Sequence, residues 1–272
     1  LQSLFGLGVA GALLFLYQAS GLQKLLRLSG LLKLLGLEKL ERLTPVAEAP
    51  FFFSSIGKTF PTTEAQRYRV ALLAGCIANV CFARLNEATV RVLQKNGCDV
   101  HIPREQTCCG ALHAHAGLRE EARKLARRNI DAFEAGDYDA IITNAAGCGA
   151  QLKDYAHLMH HTPWADAAAR FQSKVRDVHE FLAELGLRPP RYPLPLRATY
   201  HDACHLRHAQ QIARPPRALL EQIPQLELVP LPESELCCGA AGSYNLTQPE
   251  MAARLGDRKA QRILATGAQA VF

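Results

Sequence analysis

The most restrictive feature of this sequence is a cysteine pattern that occurs twice. A single cysteine, Cys76, precedes a Cys-Cys-Gly triplet at 108–110 with 31 residues between them, and Cys204 precedes the same triplet at 237–239 with 32 residues between them. Such closely matched spacing predicts two copies of one module. Adjacent cysteines are poorly placed to bridge each other or to join a secreted disulfide framework. We therefore interpret them as reduced thiols or metal-bound thiolates of a reducing compartment.

Short apolar strands and amphipathic helices alternate around both copies. The predicted strands are Arg69–Ala74, Asp99–Ile102 and Ala140–Thr143 in the first copy and Arg197–His201, Leu226–Val229 and Ala270–Phe272 in the second. Further helical stretches are predicted at about Gln151–Met159, Ala167–Leu185 and Pro249–Thr266. Alternation of strand and helix is typical of parallel sheets. The predicted fold class is therefore α/β, with two tandem pseudo-repeated modules, each a small parallel sheet flanked by helices, after a helical N-terminal segment.

The predicted domain boundaries follow from this repeat. Residues 1–68 form a helical linker segment, residues 69–196 form the first module with its following helices and a Pro-rich linker, and residues 197–272 form the second, truncated module. Within the first of these, residues 45–63 hold three prolines and are predicted to be an irregular connection.

The N-terminal segment combines an apolar run with a basic amphipathic pattern. The run Leu4–Tyr17 has 14 residues, whereas a membrane-spanning helix takes about 20. From Gly21 to Leu43, leucines recur among Lys24, Arg27, Lys33, Lys39 and Arg42. This pattern fits a helix on a membrane surface or a partner subunit, and equally a helix packed on its own domain. The formal charge of +6 is spread along the chain, so no nucleic-acid partner is expected.

Four cysteines of the first copy follow three predicted strands. Because the carboxyl ends of parallel strands meet at one edge of a sheet, Cys76, Cys108, Cys109 and Cys148 are expected to converge although they span 73 positions. Thiolates on irregular loops suit iron-sulfur clusters first and zinc second. Neighbouring glycines such as Gly110 would let backbone N–H groups point at cluster sulfides.

The second copy contributes Cys204, Cys237 and Cys238. The counterpart of Cys148 should fall near position 277, which lies beyond Phe272. We therefore expect the second site to lack its closing ligand in this chain, which we interpret as a fragment.

Four other residues carry weaker signals. Cys81 and Cys98 are interpreted as buried apolar side chains, with a spare ligand as the alternative for Cys81. Asp202 and Asn144 are interpreted as turn or cap formers without a specific chemical role. Neither copy has the Cys-x-x-Cys pairs of a zinc ribbon or a ferredoxin, which disfavours both of those classes.

The histidines near the cysteines divide into two groups. His113 and His115 follow the first triplet and are interpreted as loop residues hydrogen-bonded to backbone, with contact to a cluster or its partner as the alternative. His201 and His205 flank Cys204, and they are the candidates for a substitute ligand or a proton relay.

The repeated pattern resembles a known pair of domains. It is arranged as in the cysteine-rich CCG domain pair that occurs in heterodisulfide reductase, in the membrane-associated subunit of anaerobic glycerol-3-phosphate dehydrogenase, and in the glycolate oxidase iron-sulfur subunit. The strings CCGALHAHAG at 108–117 and NAAGCG at 144–149 are most similar to the glycolate oxidase subunit. The resemblance covers about residues 69–272. Residues 1–68 resemble the helical segment that follows a ferredoxin domain in that family, a domain not contained in this sequence.

The resemblance implies an electron-transfer role for this chain. A flavin-containing dehydrogenase subunit that carries FAD would oxidise glycolate, and this subunit would pass the electrons toward quinone without catalytic residues of its own. The implied ligands of [4Fe-4S]-type clusters are Cys76, Cys108, Cys109 and Cys148 in the first copy and Cys204, Cys237 and Cys238 in the second. Ala145 stands where the fullest form of the motif has the first cysteine of a closing Cys-x-x-Cys, so a five-thiolate cluster is not expected at the first site.

The reduced cysteines predict a cytoplasmic protein, and the basic amphipathic pattern leaves open a peripheral contact with the inner face of the cell membrane through residues 1–43. Two alternative functions stay open. One is a cluster-based thiol or disulfide reductase of the heterodisulfide reductase type, and the other is a structural zinc-thiolate module that docks partners. Glycolate, lactate and glycerol-3-phosphate all stay open as the electron donor, because that choice belongs to the flavin subunit.

Overall fold

The chain folds around two separate β-sheets. A computed structural model describes residues 4–240 and 242–272, so residues 1–3 of the predicted N-terminal segment lie outside the described part. The first sheet contains β1 (Thr59–Phe60), β2 (Tyr68–Leu72), β3 (Cys98–His101), β4 (Ala140–Thr143) and β5 (Val175–Asp177). The second contains β6 (Leu196–Thr199), β7 (Leu226–Val229) and β8 (Ala270–Val271). The α/β class predicted from the sequence is confirmed.

In the first sheet the strand order is β1-β3-β2-β4-β5. Strands β2, β3, β4 and β5 are parallel, with Val70 opposite both Val100 and Ala140, whereas β1 pairs with β3 in the antiparallel direction. The carboxyl ends of β3, β2 and β4 are therefore neighbours at one edge of this sheet, and the loops that follow them share that edge.

Helices cover both faces of the first sheet. They are α5 (Ala78–Cys81), α6 (Ala83–Lys95), α7 (Ala111–His115), α8 (Arg119–Glu134), α9 (Ala146–Leu152), α10 (Tyr155–Leu158), α11 (Ala165–Lys174) and α12 (Val178–Leu185). Alternate residues of β2 and its following residue pack on opposite faces of the sheet. Ala71 and Leu73 belong to the same buried cluster as Phe133, and Val70 and Leu72 belong to the cluster that contains Leu93. A parallel strand buried on both sides reads as a continuous apolar run, which is why β2 was predictable.

The second sheet is smaller, with the order β7-β6-β8 and all pairs parallel. Its helices are α13 (Arg214–Leu220), α14 (Tyr244–Thr247) and α15 (Pro249–Ala265), and a π-helix, His205–Ala209, follows β6. Leu219 of α13 belongs to the same buried cluster as Phe181 and Leu182 of the first sheet's α12. The two sheets are thus joined by a shared apolar core.

The N-terminal segment is a group of short helices. They are α1 (Leu4–Ala19), α2 (Leu22–Ser29), α3 (Leu31–Leu34) and α4 (Glu38–Arg42). The buried carboxylate of Glu41 ties three of them together, because it accepts hydrogen bonds from Tyr17 on α1 and from Gln23 and Arg27 on α2. Among the described residues, no helix is both long and apolar enough to cross a membrane.

The structure corrects three sequence predictions in the helical regions. The predicted helix Ala167–Leu185 is interrupted by β5, because Asp177 caps α12 through the backbone N–H of His179 and so restarts the helix. The stretch Gln151–Met159 is two helices, α9 and α10. The pattern Gly21–Leu43 is three helices, because Gly30 has a φ of 72° and ends α2 there.

The predicted irregular connection at 45–63 also contains regular structure. Residues Phe52–Ser55 form a 3₁₀-helix, and Thr59 and Phe60 form β1 opposite His101 and Val100. A two-residue strand carries no usable periodicity, so the sequence could not indicate β1.

Candidate metal centre

The first cysteine set lies at the carboxyl edge of the first sheet. Cys76 follows β2, Cys108 and Cys109 follow β3, and Cys148 lies on α9 immediately after β4. Since these three strands are neighbours, four side chains that are distant in sequence arrive at one place. Cys108 and Cys109 are 3% and 4% exposed. The convergence predicted from the strand order is therefore present in the fold.

The four cysteine side chains lie close enough to interact in series. Cys76 contacts Cys108, Cys108 contacts Cys109, and Cys109 contacts Cys148. The backbone N–H of Gly110 also donates to the Cys108 sulfur over 3.5 Å. This amide reaches a cysteine sulfur of its own triplet, as expected of a glycine amide that supports a thiolate site.

These contacts shift the pKa values of the four cysteines in opposite directions. Interaction with Cys108 is the main cause that raises the pKa of Cys76, and interaction with Cys108 and Cys148 raises the pKa of Cys109. The same interactions lower the pKa of Cys108 and of Cys148. The proximity of the sulfurs thus favours the thiolate at Cys108 and Cys148, and the thiolate is the form in which cysteine binds metal.

A buried amide and a phenol fix the loop that carries the triplet. The Oδ1 atom of Asn129 on α8 accepts from the backbone N–H of Thr107 over 2.8 Å, and its Nδ2 atom donates to the Cys108 carbonyl over 3.1 Å. The hydroxyl of Tyr155 donates to the Cys109 carbonyl over 2.8 Å. Sequence analysis missed both residues. For Asn129, the available signal was a polar side chain within the apolar stripe of α8.

Each triplet ends in a glycine that the fold requires. Gly110 has a φ of 87° and Gly239 a φ of 84°. A Cβ atom at Gly110 would lie 3.4 Å from the carbonyl oxygen of Ala122, and one at Gly239 would collide with the carbonyl oxygen of Ala252. Only glycine combines this conformation with so close an approach of a helix backbone.

Asn144, predicted to be a turn former, has a more specific role. Its Nδ2 atom donates to Asn86 Oδ1 and to Thr89 Oγ1, each over 2.9 Å. Asn86 in turn donates to the carbonyl of Ala74, just before Cys76. These bonds connect the loops that follow β2 and β4 and so position Cys76 relative to Cys148.

The second cysteine set occupies the corresponding edge of the second sheet. Cys204 follows β6, and Cys237 and Cys238 follow β7. Burial, together with the charges of Cys237 and Cys238, raises the pKa of Cys204, so the three side chains lie near one another. The N–H of Gly239 donates to the Cys237 sulfur over 3.4 Å, as Gly110 does in the first set. This set is more open, since Cys238 is exposed.

A buried ion pair supports the second set. The carboxylate of Asp202 is 3% exposed, accepts two 2.7 Å bonds from Arg217 and accepts a third from the hydroxyl of Ser234. Burial alone would raise the pKa of Asp202, but Arg217 and Ser234 outweigh it and the pKa is lowered. Asp202 carried no specific chemical signal in the sequence, and its structural role is visible only in the fold. It links the loop before Cys204 to the loop before Cys237.

The two cysteine edges face each other across the contact between the modules. Gln210, at the end of the π-helix, donates to the carbonyl of Ala146 on α9 over 2.9 Å. The imidazole rings of His115 and His205 stack with centroids 5.7 Å apart. His205 Nδ1 lies 3.7 Å from the sulfur of Cys204. A short series of side-chain contacts therefore runs from the first triplet's helix, α7, to the second set.

The remaining histidines and cysteines have different positions. His113 lies on α7 rather than in a loop, and its Nδ1 atom is buried without a partner, so the predicted backbone bond is absent within the described residues. His201 Nδ1 contacts the carbonyl oxygen of Ser234 over 3.2 Å. Cys81 and Cys98 are buried in apolar clusters, as predicted, and burial raises the pKa of Cys98 to about 12.

The donor set of the first site fits an iron-sulfur group. In the described ranges, four buried polar side-chain atoms lack a partner: Asn79 Oδ1, His113 Nδ1, Gln151 Nε2 and Gln210 Oε1. Each belongs to a residue within six positions of a cysteine of one of the two sets. A buried polar atom without a partner calls for an explanation, and a bound ion or a redox group beside it is one. In residues 4–240 and 242–272, no three His, Cys, Asp or Glu side chains are placed to hold a single metal ion.

Sequence comparison identifies the modules. The profile of the family described as "Cysteine-rich domain", CCG, matches residues 70–153 and 198–272, more than half of the chain. The chain belongs to the CCG cysteine-rich domain family. Residues 6–44 match a second profile, described as "Glycolate oxidase iron-sulfur subunit, linker region". The family resemblance inferred from the repeated triplets is thus confirmed.

Three relatives illustrate the range of CCG proteins that this chain resembles. A probable glycolate oxidase iron-sulfur subunit of Bacillus subtilis is 40% identical over 95% of this chain and 60% of its own length. An uncharacterized iron-sulfur protein of Methanocaldococcus jannaschii is 35% identical over 78% of this chain and 40% of its own length. Lactate utilization protein A of an Exiguobacterium species is 32% identical over 75% of this chain and 84% of its own length.

Proposed function

We propose that this chain is the iron-sulfur, electron-transfer part of a system that oxidises a 2-hydroxy acid. The observation that carries the proposal is the meeting of four cysteine sulfurs from three loops at one edge of the first sheet. The names of the relatives, glycolate oxidase iron-sulfur subunit and lactate utilization protein A, support the hydroxy-acid context.

At the first site, Cys76, Cys108, Cys109 and Cys148 would hold a cluster of the [4Fe-4S] type, which takes four thiolates. When bound, such a cluster accepts and returns one electron at a time. Asn129 keeps the triplet loop in place, and the burial of the triplet excludes water from its sulfurs. The Gly110 N–H group donates to a ligand sulfur, which makes that thiolate less basic and raises the reduction potential of the cluster.

At the second site, Cys204, Cys237 and Cys238 would supply three thiolates. Gly239 and the Asp202–Arg217 pair fix this loop as Gly110 and Asn129 fix the first. Residues 69–196 and 197–272 would thus act as two cluster-binding modules, with residues 1–68 as the segment that connects them to their surroundings.

The test of this proposal is anaerobic reconstitution with iron and sulfide. We expect a brown protein with a visible charge-transfer band and acid-labile sulfide. Cys109→Ser should remove the first site's share of iron and sulfide, because Cys109 contacts two other cysteine sulfurs of the set. Cys98→Ala is the matched control, since Cys98 is equally buried but lies among apolar residues. A colourless protein, or equal losses in both variants, would rule the proposal out.

The electron donor would be a partner dehydrogenase subunit that carries FAD, and the acceptor would be on the path to quinone. Glycolate is the donor substrate we favour, because the relative with 40% identity is a probable glycolate oxidase subunit, and lactate is the alternative. The isolated chain is expected to have no dehydrogenase activity of its own, since the flavin belongs to the partner.

We also propose that the protein is cytoplasmic and that it contacts the membrane peripherally through residues 1–43. The supporting feature is the high exposure of leucines in α1 to α4, including Leu13, Leu25, Leu28 and Leu34 at 63%, 63%, 77% and 82%. Contiguous exposed apolar surface beside lysine and arginine is typical of proteins that lie on anionic bilayers.

A second candidate function is reduction of a small disulfide at the second site. The observation that favours it is the exposed sulfur of Cys238, which an external disulfide can reach. Reduction of one disulfide would consume two electrons and two protons and release two thiols. Turnover of a small disulfide by the reconstituted chain, with a chemical reductant and without a flavin partner, would support this candidate, and its absence would leave electron transfer alone.

A further inference from the structure

The two cysteine sites are built on the same plan but differ at one buried position. Gly110 approaches Ala122 on α8, and Gly239 approaches Ala252 on α15, so these two helices have the same register beneath their triplets. Seven residues further along each helix lies the side chain that reaches back to the triplet loop. That residue is Asn129 in the first module and Lys259 in the second.

Asn129 and Lys259 make comparable contacts. Asn129 is fully buried and bonds to the backbone of Thr107 and Cys108. Lys259 is 4% exposed, and its Nζ atom donates to the carbonyls of Glu233 and Ser234 over 2.6 and 3.1 Å. Both side chains therefore hold the segment that leads into their triplet. The difference is that one is a neutral amide and the other is an ammonium group.

In the part of the chain that the structure describes, the ammonium group of Lys259 is not paired with a carboxylate. The nearby carboxylate of Glu233 pairs with Arg258 and Arg262, and that of Asp202 pairs with Arg217. Within the described residues, Lys259 forms no ion pair and bonds to carbonyl oxygens. Burial lowers the pKa of Lys259, whereas the charges of Glu235 and Cys238 act in the opposite direction.

We propose that Lys259 is a positioning residue that holds the segment leading into the second triplet and brings a positive charge to the side of Cys238, where α15 packs against the Cys238 backbone, so that the second site retains an added electron more strongly than the first. This inference rests on the proposed iron-sulfur function. One-electron reduction of an iron-sulfur group converts one Fe³⁺ to Fe²⁺ and adds one negative charge without any atom transfer. A nearby cation in a partly buried site stabilises that added charge, which raises the reduction potential.

The experiment compares reduction potentials of the chain loaded anaerobically with iron and sulfide. A dithionite titration is followed by visible absorption and electron paramagnetic resonance in the wild type, Lys259→Gln and Lys259→Arg. The signal of the second site is assigned by its loss in Cys204→Ser. Arg254→Gln is the control, because Arg254 is an exposed cation on the same helix.

For Lys259→Gln we expect the reduction equilibrium constant of the second site to fall about tenfold, which is about 59 mV for one electron. Lys259→Arg should retain the wild-type potential, and the first site should be unchanged in every variant. Equal shifts in the Gln and Arg variants would show a purely structural role and overturn the inference. An unchanged potential in Lys259→Gln would overturn it as well.

A second variant tests the same electrostatic claim if Lys259→Gln does not fold. Lys259→Met keeps the length of the side chain and removes its charge, so it should lower the potential of the second site. A raised or constant potential in that variant would contradict the inference. A wild-type chain that binds no iron and sulfide would remove the proposed function and this inference together, whereas a loaded chain without the shifts would remove only this inference.

Discussion

At the scale of single residues, the cysteines depend on a few side chains and one glycine in each module. Asn129 and Lys259 hold the two triplet loops, and Gly110 and Gly239 let α8 and α15 approach them. None of these contacts could be derived from local sequence, because each joins residues that are about 12 to 26 positions apart. The glycines were visible as part of a motif, but the helix backbone that requires them was not.

We expect Gly239→Ala to destabilise the protein by about 1–3 kcal/mol, because the new Cβ atom would strike the Ala252 carbonyl in a backbone conformation that disfavours alanine. Gly267→Ala is the matched control, since Gly267 also has a positive φ but has no atom within 4 Å of a Cβ position. Urea denaturation of the metal-free chain measures both. Equal losses in the two variants would show that the approach of α15 is unimportant.

At the scale of elements, capping residues divide helices that hydrophobic periodicity joins. Asp177 starts α12 with a side-chain bond to His179 N and leaves Val175–Asp177 free to pair with β4 as β5. The apolar stripe is continuous across this break, so periodicity alone predicts one helix over Ala167–Leu185. In the N-terminal segment, Gly30 separates α2 from α3. The carboxylate of Glu41 on α4 then bonds to α1 and α2 and holds these helices together.

The association of α1, α2 and α4 is expected to depend on pH through Glu41. The hydrogen bond from Arg27 is the main cause that lowers the pKa of Glu41 in the folded protein. A lowered pKa means that the ionised carboxylate stabilises the fold above its unfolded value of about 4.3 and that this stabilisation is lost as the pH falls through the lower folded value. The protection of amides in residues 4–42 against hydrogen exchange, relative to the intrinsic exchange rate at each pH, should therefore decrease as the pH falls below about 4.

Glu41→Gln should abolish this pH dependence and accelerate exchange of the helices already at neutral pH. Glu38→Gln is the control, because Glu38 lies in the same helix and bonds only to the exposed Arg42 in the described residues. An identical pH profile in Glu41→Gln and the wild type would mean that another group controls the segment.

At the scale of the whole molecule, the sequence predicted the repeat and the strand arrangement within each module better than the contacts between the modules. The duplication, the parallel strands and the meeting of Cys76, Cys108, Cys109 and Cys148 follow from strand order and spacing, since the carboxyl ends of neighbouring strands share an edge. The contact between the modules was not predictable. It combines the apolar packing of Leu219 against α12 with the contacts of Gln210, His115 and His205, and these partners are set by how the two modules pack together.

The exposed leucines of the N-terminal segment predict binding to anionic bilayers. The variant Leu25→Gln/Leu28→Gln/Leu34→Gln should reduce the fraction that floats with anionic liposomes by about tenfold or more, because each leucine contributes apolar burial. Leu264→Gln, which changes an equally exposed leucine on α15, should have no effect. Equal flotation of both variants would contradict a role of these leucines in membrane binding.

The depth of Cys108 and Cys109 has a consequence for how the protein matures. Both residues are almost inaccessible to solvent, and α9, which carries Cys148, is bonded to the other module through Gln210. If the first site binds a cluster as proposed, loading of the folded chain would therefore require a local opening around the triplet loop.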